Sequence, residues 1–525
     1  MAALPQQTVI AVVGTGAMGA GIAQVAAAAG HVVKLLDNRP GAANKAVDGI
    51  RTQFAKLAEK GKLTAEAASA AGARLIPVEQ LADLADAGLI TEAIVENLEA
   101  KQKLYADLEA IVGPDCIFGT NTSSISVTAI GAALQRPERL AGLHFFNPAP
   151  LMALVEIVSG LATDPAIADT LFATAAAWGK TPVHAKSTPG FIVNRVARPY
   201  YAEALRLAQE GAADYATIDA VMREAGGFRM GPFELMDMIG HDVNFAVTNS
   251  VWRAFYNDPR FLPSLIQQEL VDAGFYGKKS GRGFYDYREG ALRPTPRIEA
   301  PQAPVGKITL YGESAAAEAL AERLETCSLS FSRAPATDAR NEVPLGGAPK
   351  EVPLGGGRIA EIGRAVIHVT DGRSATQRAF ESGVANTVLI DLAHDYSTAG
   401  WLAVAVAAQC DPEAAAAAIG LLQAAGFVVC RLADVPGLAV MRTVAMLANE
   451  AADAVNQGVC SATAADSAMR LGVNYPQGPL AWADQVGLPT IRTVLANLGA
   501  SYGEDRYRIS PLIQRQFFAG KKIHD

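Results

Sequence analysis

Short apolar runs alternate with longer helical stretches along the chain up to Lys186, and this alternation predicts the first domain. Residues 8–14 form an unbroken apolar run closed by a glycine, which reads as a buried strand. Residues 17–29 read as a small-residue helix and 31–37 as a second strand. Helical stretches follow at 42–61 and 64–72, and further buried strands at 88–95, 116–120 and 140–145. Such a βαβα rhythm predicts a parallel sheet covered by helices on both faces. From Pro189 the pattern turns to long helical periodicity with little strand signal. A stretch rich in proline and charge at 291–304 reads as a linker. Beyond it, 308–312 and 384–393 read as strands, 315–325 as an alanine-rich helix, and 342–357, with VPLGG twice, as an exposed loop.

The helical stretch occurs twice. Residues 189–240 and 436–487 align without a gap at an offset of 247. The offset pairs Arg195 with Arg442, Glu203 with Glu450, Gly211 with Gly458, Asp219 with Asp466, Gly231-Pro232 with Gly478-Pro479, and Asp237 with Asp484. Asn194, however, meets Met441, a thioether that can only pack. Carried upstream, the offset also pairs Asp164-Pro165 with Asp411-Pro412 and Gly179 with Gly426. A repeat of this kind fixes architecture before any motif does. The expected layout is a Rossmann-type doubly wound α/β domain over 1–186 and an all-α domain over 187–290. A degenerate α/β segment over 305–433 and a second, catalytically inactive all-α repeat over 434–525 complete it.

Composition removes several function classes. Half of the 525 residues are hydrophobic and 19% are charged, as in an ordinary folded protein with several cores. A net charge of -8 argues against broad nucleic-acid binding. The five cysteines have no metal-ligand or disulfide spacing, so no metal is expected. No apolar run is long enough to span a bilayer and no leader pattern opens the chain, so a cytoplasmic protein with no membrane partner is expected.

At the end of the first strand, Gly14-Thr15-Gly16-Ala17-Met18-Gly19 supplies GxGxxG and opens a helix. The first glycine permits a tight turn, the second lets backbone approach a pyrophosphate, and the third allows close helix–strand packing. The helix N-terminus offers free N–H groups to the phosphates. Asp37 ends the second strand and suits the ribose hydroxyls, which favours NAD over NADP; Arg39 beside it is the one residue pulling the other way.

Further along, Asn121-Thr122-Ser123-Ser124 follows one strand and His144 lies in the next, with Glu156 twelve residues later and Asn194 at the start of the helical stretch. A hydroxyl, an imidazole, a carboxylate and an amide suit alcohol oxidation. His144 would take the hydroxyl proton and Glu156 would bond the other ring nitrogen, while Ser123 and Asn194 would hold the oxygen. Taken singly, a histidine between apolar neighbours is more often structural and a serine after a strand more often a helix cap. The order of the set behind a dinucleotide fingerprint reverses that weighting.

Taken together, GTGAMG, EAIVEN (from Glu92), NTSS, LHFFNP, TPGFIVNR and MGPFELMD resemble the L-3-hydroxyacyl-CoA dehydrogenases, continuously from about Thr8 to Tyr287. The resemblance implies His144 as base, Glu156 as its partner, and Ser123 and Asn194 as substrate-oxygen ligands. It also implies cofactor contacts from Asp37, Glu96, Lys101 and Asn121, and acyl-CoA contacts from Gln53 and Lys60 on a helix that also carries Arg51 and Lys56. The whole layout resembles bacterial members of the 3-hydroxyadipyl-CoA or 3-hydroxybutyryl-CoA type, the former acting in phenylacetate catabolism. The second helical repeat is expected to pair with the first inside the chain, as subunits pair in relatives with one helical domain, with dimerisation of whole chains left open. Two other readings stand beside this one: a dehydrogenase of free hydroxy acids or sugar acids, and a non-catalytic protein that has kept cofactor binding.

Overall fold

The computed structural model describes residues 2–335 and 357–525, so both VPLGG copies of the expected loop at 342–357 lie outside the described residues. The chain divides into two compact units, Met1–Arg195 with Gln457–Val473, and Val196–Asn456 with Asn474–Asp525.

In the first unit the strands are β1 (Val9–Val13), β2 (Val33–Leu36), β3 (Leu75–Val78), β4 (Ala87–Glu92), β5 (Ile117–Thr120), β6 (Leu140–Phe145), β7 (Leu154–Ser159) and β8 (Thr181–Lys186). They form one sheet in the order β3-β2-β1-β4-β5-β6-β7-β8. The reversal of order at β1 and β4 is the switch point where doubly wound sheets bind ligands. The sheet is not wholly parallel as the rhythm predicts, because β7 runs antiparallel to β6. Strands β3, β7 and β8 leave little trace in the pattern: β3 is four residues with one buried side chain, and Glu156 interrupts β7.

The helix Ala17–Ala28 is built of small residues, and Ile22, Ala23 and Ala26 pack on Ile10 and Val12 of β1 in the core. Two glycines make that approach possible. A Cβ on Gly19 would stand 1.8 Å from the Gly14 carbonyl oxygen, and Gly14 itself turns at φ +91° against the Ala93 backbone. One further helix, Ala462–Gly472, reaches this unit from the second helical repeat and packs on β7 and β8.

In the second unit the strands are β9 (Ile308–Tyr311), β10 (Ser332–Ala334), β11 (Arg358–Ile362), β12 (Ala365–Val369), β13 (Thr387–Ile390), β14 (Trp401–Val406) and β15 (Val428–Arg431), in the order β10-β9-β11-β12-β13-β14-β15. The sequence offset holds in detail here. Strand β14 and the helix Pro412–Ala424 match β7 and the helix Pro165–Ala177 residue for residue, and β13 meets β14 in the register of β6 on β7. Both copies turn through a glycine and a non-glycine residue of positive φ: Gly190 (75°) and Phe191 (48°), then Gly437 (77°) and Leu438 (54°).

The helix Val440–Asn456 is buried along almost its whole length and lies against the helix Arg198–Gln209. Between them Arg442, fully buried, pairs with Glu203 at 2.6 Å and Glu210 at 3.0 Å and donates to the Tyr502 and Tyr507 hydroxyls. Arg260 is likewise buried against Glu450 and Asp453. Among the described residues no helix is long and apolar enough to cross a membrane.

Where the first copy has His144 the second has Asp391, and Ala403 stands for Glu156. The Asp391 carboxylate accepts from the N–H groups of Ala439, Val440, Met441 and Leu392 at 2.8–2.9 Å, closing the Pro-Gly turn ahead of the long helix. Burial outweighs those donors and pushes its carboxyl from 3.8 up to about 6. A carboxyl raised on folding gives stability that is complete below its unfolded value and is lost as pH rises through the folded one. We therefore expect Asp391→Asn to be less stable overall but to lack roughly 3 kcal/mol of the decline in unfolding free energy between about pH 4 and 6. Denaturant titrations at those pH values check this, and an unchanged slope would rule it out.

Candidate active site

Strands β6 and β7 bring two of the expected residues together by register alone. His144 and Glu156 are direct cross-strand partners, so their side chains leave the same face of the sheet. His144 Nδ1 lies 2.7 Å from Glu156 Oε2, and both residues are buried. The ring sits against Phe146 at 4.6 Å and Phe191 at 5.7 Å. With Nδ1 committed to a carboxylate, Nε2 is the nitrogen left to face a substrate, and the adjacent charge stabilises the imidazolium once a proton arrives.

Glu156 holds more than the histidine. Its Oε1 accepts from Ile192 N at 3.1 Å and Val193 N at 3.0 Å, in the turn that ends on half-buried Asn194. One carboxylate therefore sets both the imidazole and the backbone that carries the amide. The positive φ of Phe191, uncommon for a bulky residue, falls inside this tethered turn.

Ser123 stands half-buried after β5 in a loop organised by Glu96. Glu96 Oε1 accepts from the Thr122 hydroxyl at 2.7 Å, Ser123 N at 3.0 Å, and Ser124 N and hydroxyl at 3.1 and 2.9 Å. Burial opposes its charge, yet the Thr122 hydroxyl and the Lys101 ammonium hold its carboxyl below the usual range. Lys101 is itself buried, with Nζ 2.8 Å from Glu92 and 3.2 Å from Glu96. Its ammonium thus faces two carboxylates and organises the serine loop. The buried Glu92, which opens the EAIVEN motif and is not among the residues the sequence singles out, also accepts from the Thr120 hydroxyl. Asn121 Oδ1 accepts from Phe145 N at 2.8 Å and so ties the end of β5 to the end of β6.

The residues of the glycine turn fit a dinucleotide. A Cβ on Gly16 would meet nothing within 4 Å, so backbone there borders open space at the N-terminus of the helix that begins Ala17-Met18. Asp37 Oδ2 accepts from Thr15 N and hydroxyl, both at 2.8 Å, while Oδ1 receives Arg39 N at 3.0 Å and Nε at 2.9 Å. The Arg39 guanidinium holds the Asp37 carboxyl well below the usual range. The Arg39 side chain is 68% exposed. A cleft of about 800 Å³ opens between this turn and the helix Ala42–Glu59, and Gly16, Arg39, Lys45 and Gln53 line it. Gln53 is thus brought to the cofactor turn, whereas Lys60 sits exposed at the far end of its helix and does not line the cleft. Lys45, on the same basic helix, also lines the cleft, and the sequence does not single it out.

Comparison with known proteins agrees with this geometry. The family model for the 3-hydroxyacyl-CoA dehydrogenase NAD-binding domain matches residues 9–188, and that for the C-terminal domain matches twice, at 190–287 and 437–523. A third, the 3-hydroxybutyryl-CoA dehydrogenase reduced Rossmann-fold domain, matches 367–436. The chain is 46% identical to 3-hydroxyadipyl-CoA dehydrogenase of Escherichia coli K12, with 97% of each chain covered. It is 41% identical to a probable 3-hydroxybutyryl-CoA dehydrogenase of Bacillus subtilis, covering 53% of this chain and 97% of that one. A crystal structure of 3-hydroxybutyryl-CoA dehydrogenase from E. coli K12 superposes with a TM-score of 0.84 at 44% identity, covering 98% of this chain and 99% of the other. The family models and the likeness over nearly the full length agree on the lineage: the chain belongs to the 3-hydroxyacyl-CoA dehydrogenase family, NAD-dependent oxidoreductases.

Proposed function

We propose that this enzyme oxidises a short L-3-hydroxyacyl-CoA of the 3-hydroxyadipyl or 3-hydroxybutyryl type to the 3-oxoacyl-CoA, in a β-oxidation-like or phenylacetate catabolic sequence in the cytoplasm. The observation that carries the reading is the buried His144–Glu156 pair at 2.7 Å, whose carboxylate also tethers the Asn194 turn. The choice of acyl group rests on likeness over 97% of the length of the E. coli 3-hydroxyadipyl-CoA enzyme.

In this reading His144 Nε2 removes the hydroxyl proton, and Glu156 stabilises the resulting imidazolium. Ser123 and Asn194 donate to the oxygen as it gains negative charge. Bound NAD supplies the acceptor for the hydride. Gly14, Gly16 and Gly19 shape its turn, Asp37 meets the ribose, and Asn121, Glu96 and Lys101 hold the neighbouring loop in place. Gln53, with Lys60 beyond it, meets the CoA moiety.

The two helical repeats pair within one chain, in place of the pairing between subunits in shorter relatives. Three facts support this: the Arg442–Glu203 contact, the burial of the helix Val440–Asn456, and two matching hydrogen bonds. Lys186 N donates to Val459 O at 2.9 Å, and Ala433 N, at the offset position, donates to Ala212 O at 2.8 Å. One active site per chain follows.

Initial rates of NADH formation over a panel of 3-hydroxyacyl-CoA thioesters test the proposal. We expect the adipyl and butyryl compounds to lead, the free acids to fail and NADP to be a poor substitute. Equal rates with free hydroxy acids would overturn it.

A further inference from the structure

We infer that the helix Ala462–Gly472, supplied by the second helical repeat, positions Glu156 and the Asn194 turn for catalysis, with Gly472 as the point of contact. The inference rests on the dehydrogenase reading and assigns the inactive half a part in the chemistry of the active one.

This helix belongs to the same compact unit as the His144–Glu156 pair and packs on β7 and β8. Two residues ahead of it tie it down. Gln457 Oε1 accepts from Nη1 of the buried Arg195 at 2.9 Å, and Arg195 directly follows Asn194. Val459 O accepts from Lys186 N at the end of β8. Cys460 comes next; burial pushes its thiol up to about 12, and the charge of Glu156 adds to that rise.

At the other end of the helix, Gly472 touches both supports of the catalytic carboxylate. A Cβ there would lie 2.8 Å from Leu154 Cδ2 and 3.0 Å from Val193 Cγ2. Leu154 precedes Glu156 by two residues on β7, so the two side chains share a face of the sheet. Val193 is one of the two residues whose N–H groups hold Glu156 Oε1. Gly472 thus abuts the strand that carries the carboxylate and the turn that the carboxylate grips. A methyl group there would have to move the end of the Leu154 side chain and press on Val193, so it acts on both at once.

The other copy supplies the contrast. At the offset position stands Ala225, which ends the equivalent helix, Tyr215–Glu224, itself packed against β14. On β14 the place of Glu156 is taken by Ala403. Where a strand bears no catalytic carboxylate the helix end carries a methyl group, and where it does the helix end is bare.

The test uses the full-length enzyme. Gly472→Ala and Gly472→Val should lower kcat by roughly ten- to a hundredfold, the scale of a misplaced catalytic group, with NAD affinity unchanged within about twofold. The acid limb of the pH–rate profile should move, because the carboxylate no longer meets the imidazole squarely. The downfield Nδ1 proton resonance of His144 should shift or broaden, and this requires no turnover. Adding Leu154→Ala to Gly472→Ala restores the space and should recover most of kcat and the resonance. Ala225→Gly, the mirror change, should leave kcat as it is. If Gly472→Val does not fold, Gly472→Ala and Gln457→Leu carry the test. Wild-type kcat, profile and resonance in those variants would overturn the inference. So would a loss of kcat with an unmoved profile and no recovery from Leu154→Ala, since that pattern marks general destabilisation. A wild-type enzyme inert toward every thioester would instead refute the dehydrogenase reading, and the resonance would still decide whether Gly472 positions the pair.

Discussion

Replacing His144 with glutamine is expected to lower kcat by roughly 10²–10⁴-fold, the usual worth of a general base, while NAD affinity stays close to wild type. Glutamine is similar in reach and can still donate to Glu156, so the β6–β7 pairing should survive; what it cannot do is accept the substrate proton. On the proposed reading the cofactor should be indifferent, because the glycine turn and Asp37, which would hold it, make no hydrogen bond to the imidazole. Single-turnover rates with an NAD titration separate the two effects, and a variant with wild-type kcat would remove His144 from the chemistry. Glu156→Gln should follow the same course by another route. Its amide cannot accept from both the imidazole and the two N–H groups of the 192–193 turn, so kcat falls.

Truncation after residue 295 is expected to yield no soluble, active monomer. In the first unit β7 and β8 would lose the helix Ala462–Gly472, and Lys186 N its acceptor. In the second unit the helix Arg198–Gln209 would lose its long partner, leaving the buried Glu203 without Arg442. Removing one member of a buried pair costs about 3–5 kcal/mol before any apolar surface is counted, and the apolar surface newly exposed invites association. The Bacillus subtilis relative matches only the first half of this chain, so a chain of that length can fold. The truncated protein should therefore self-associate or aggregate in light scattering coupled to size exclusion. A fully active monomer would show that the second half has some other purpose.

Much of this was legible in the sequence where a residue type has one physical use. The glycine turn was readable because only glycine tolerates the Gly14–Gly19 approach. Strand β6 was readable because all six of its residues are buried and so read as one apolar run. His144 and Glu156 were both named, but their meeting depends on an antiparallel register that the βαβ rhythm does not encode. Lys101 was named, but its pairing with Glu92 was hidden for a different reason: charged residues read as surface, and burial of the pair is visible only once both are placed. The helix Ala462–Gly472 shows an apolar face in its periodicity, yet periodicity cannot say which sheet that face meets. Asp391 would have been found by extending the offset past Asp411, where the replacement of an imidazole by a helix-capping carboxylate is written plainly.

The difference between Gly472 and Ala225 has a genetic side. In a symmetric homodimer the contacting surfaces are encoded once, so any change to one face appears on its mate and each position must suit two settings. Here the corresponding positions lie 247 codons apart in a single reading frame, and each is free to change alone. One copy could give up its imidazole, its amide and its glycine turn while the other kept all three. The supporting helix could be trimmed to glycine on the side that needs the space, with no penalty on the other.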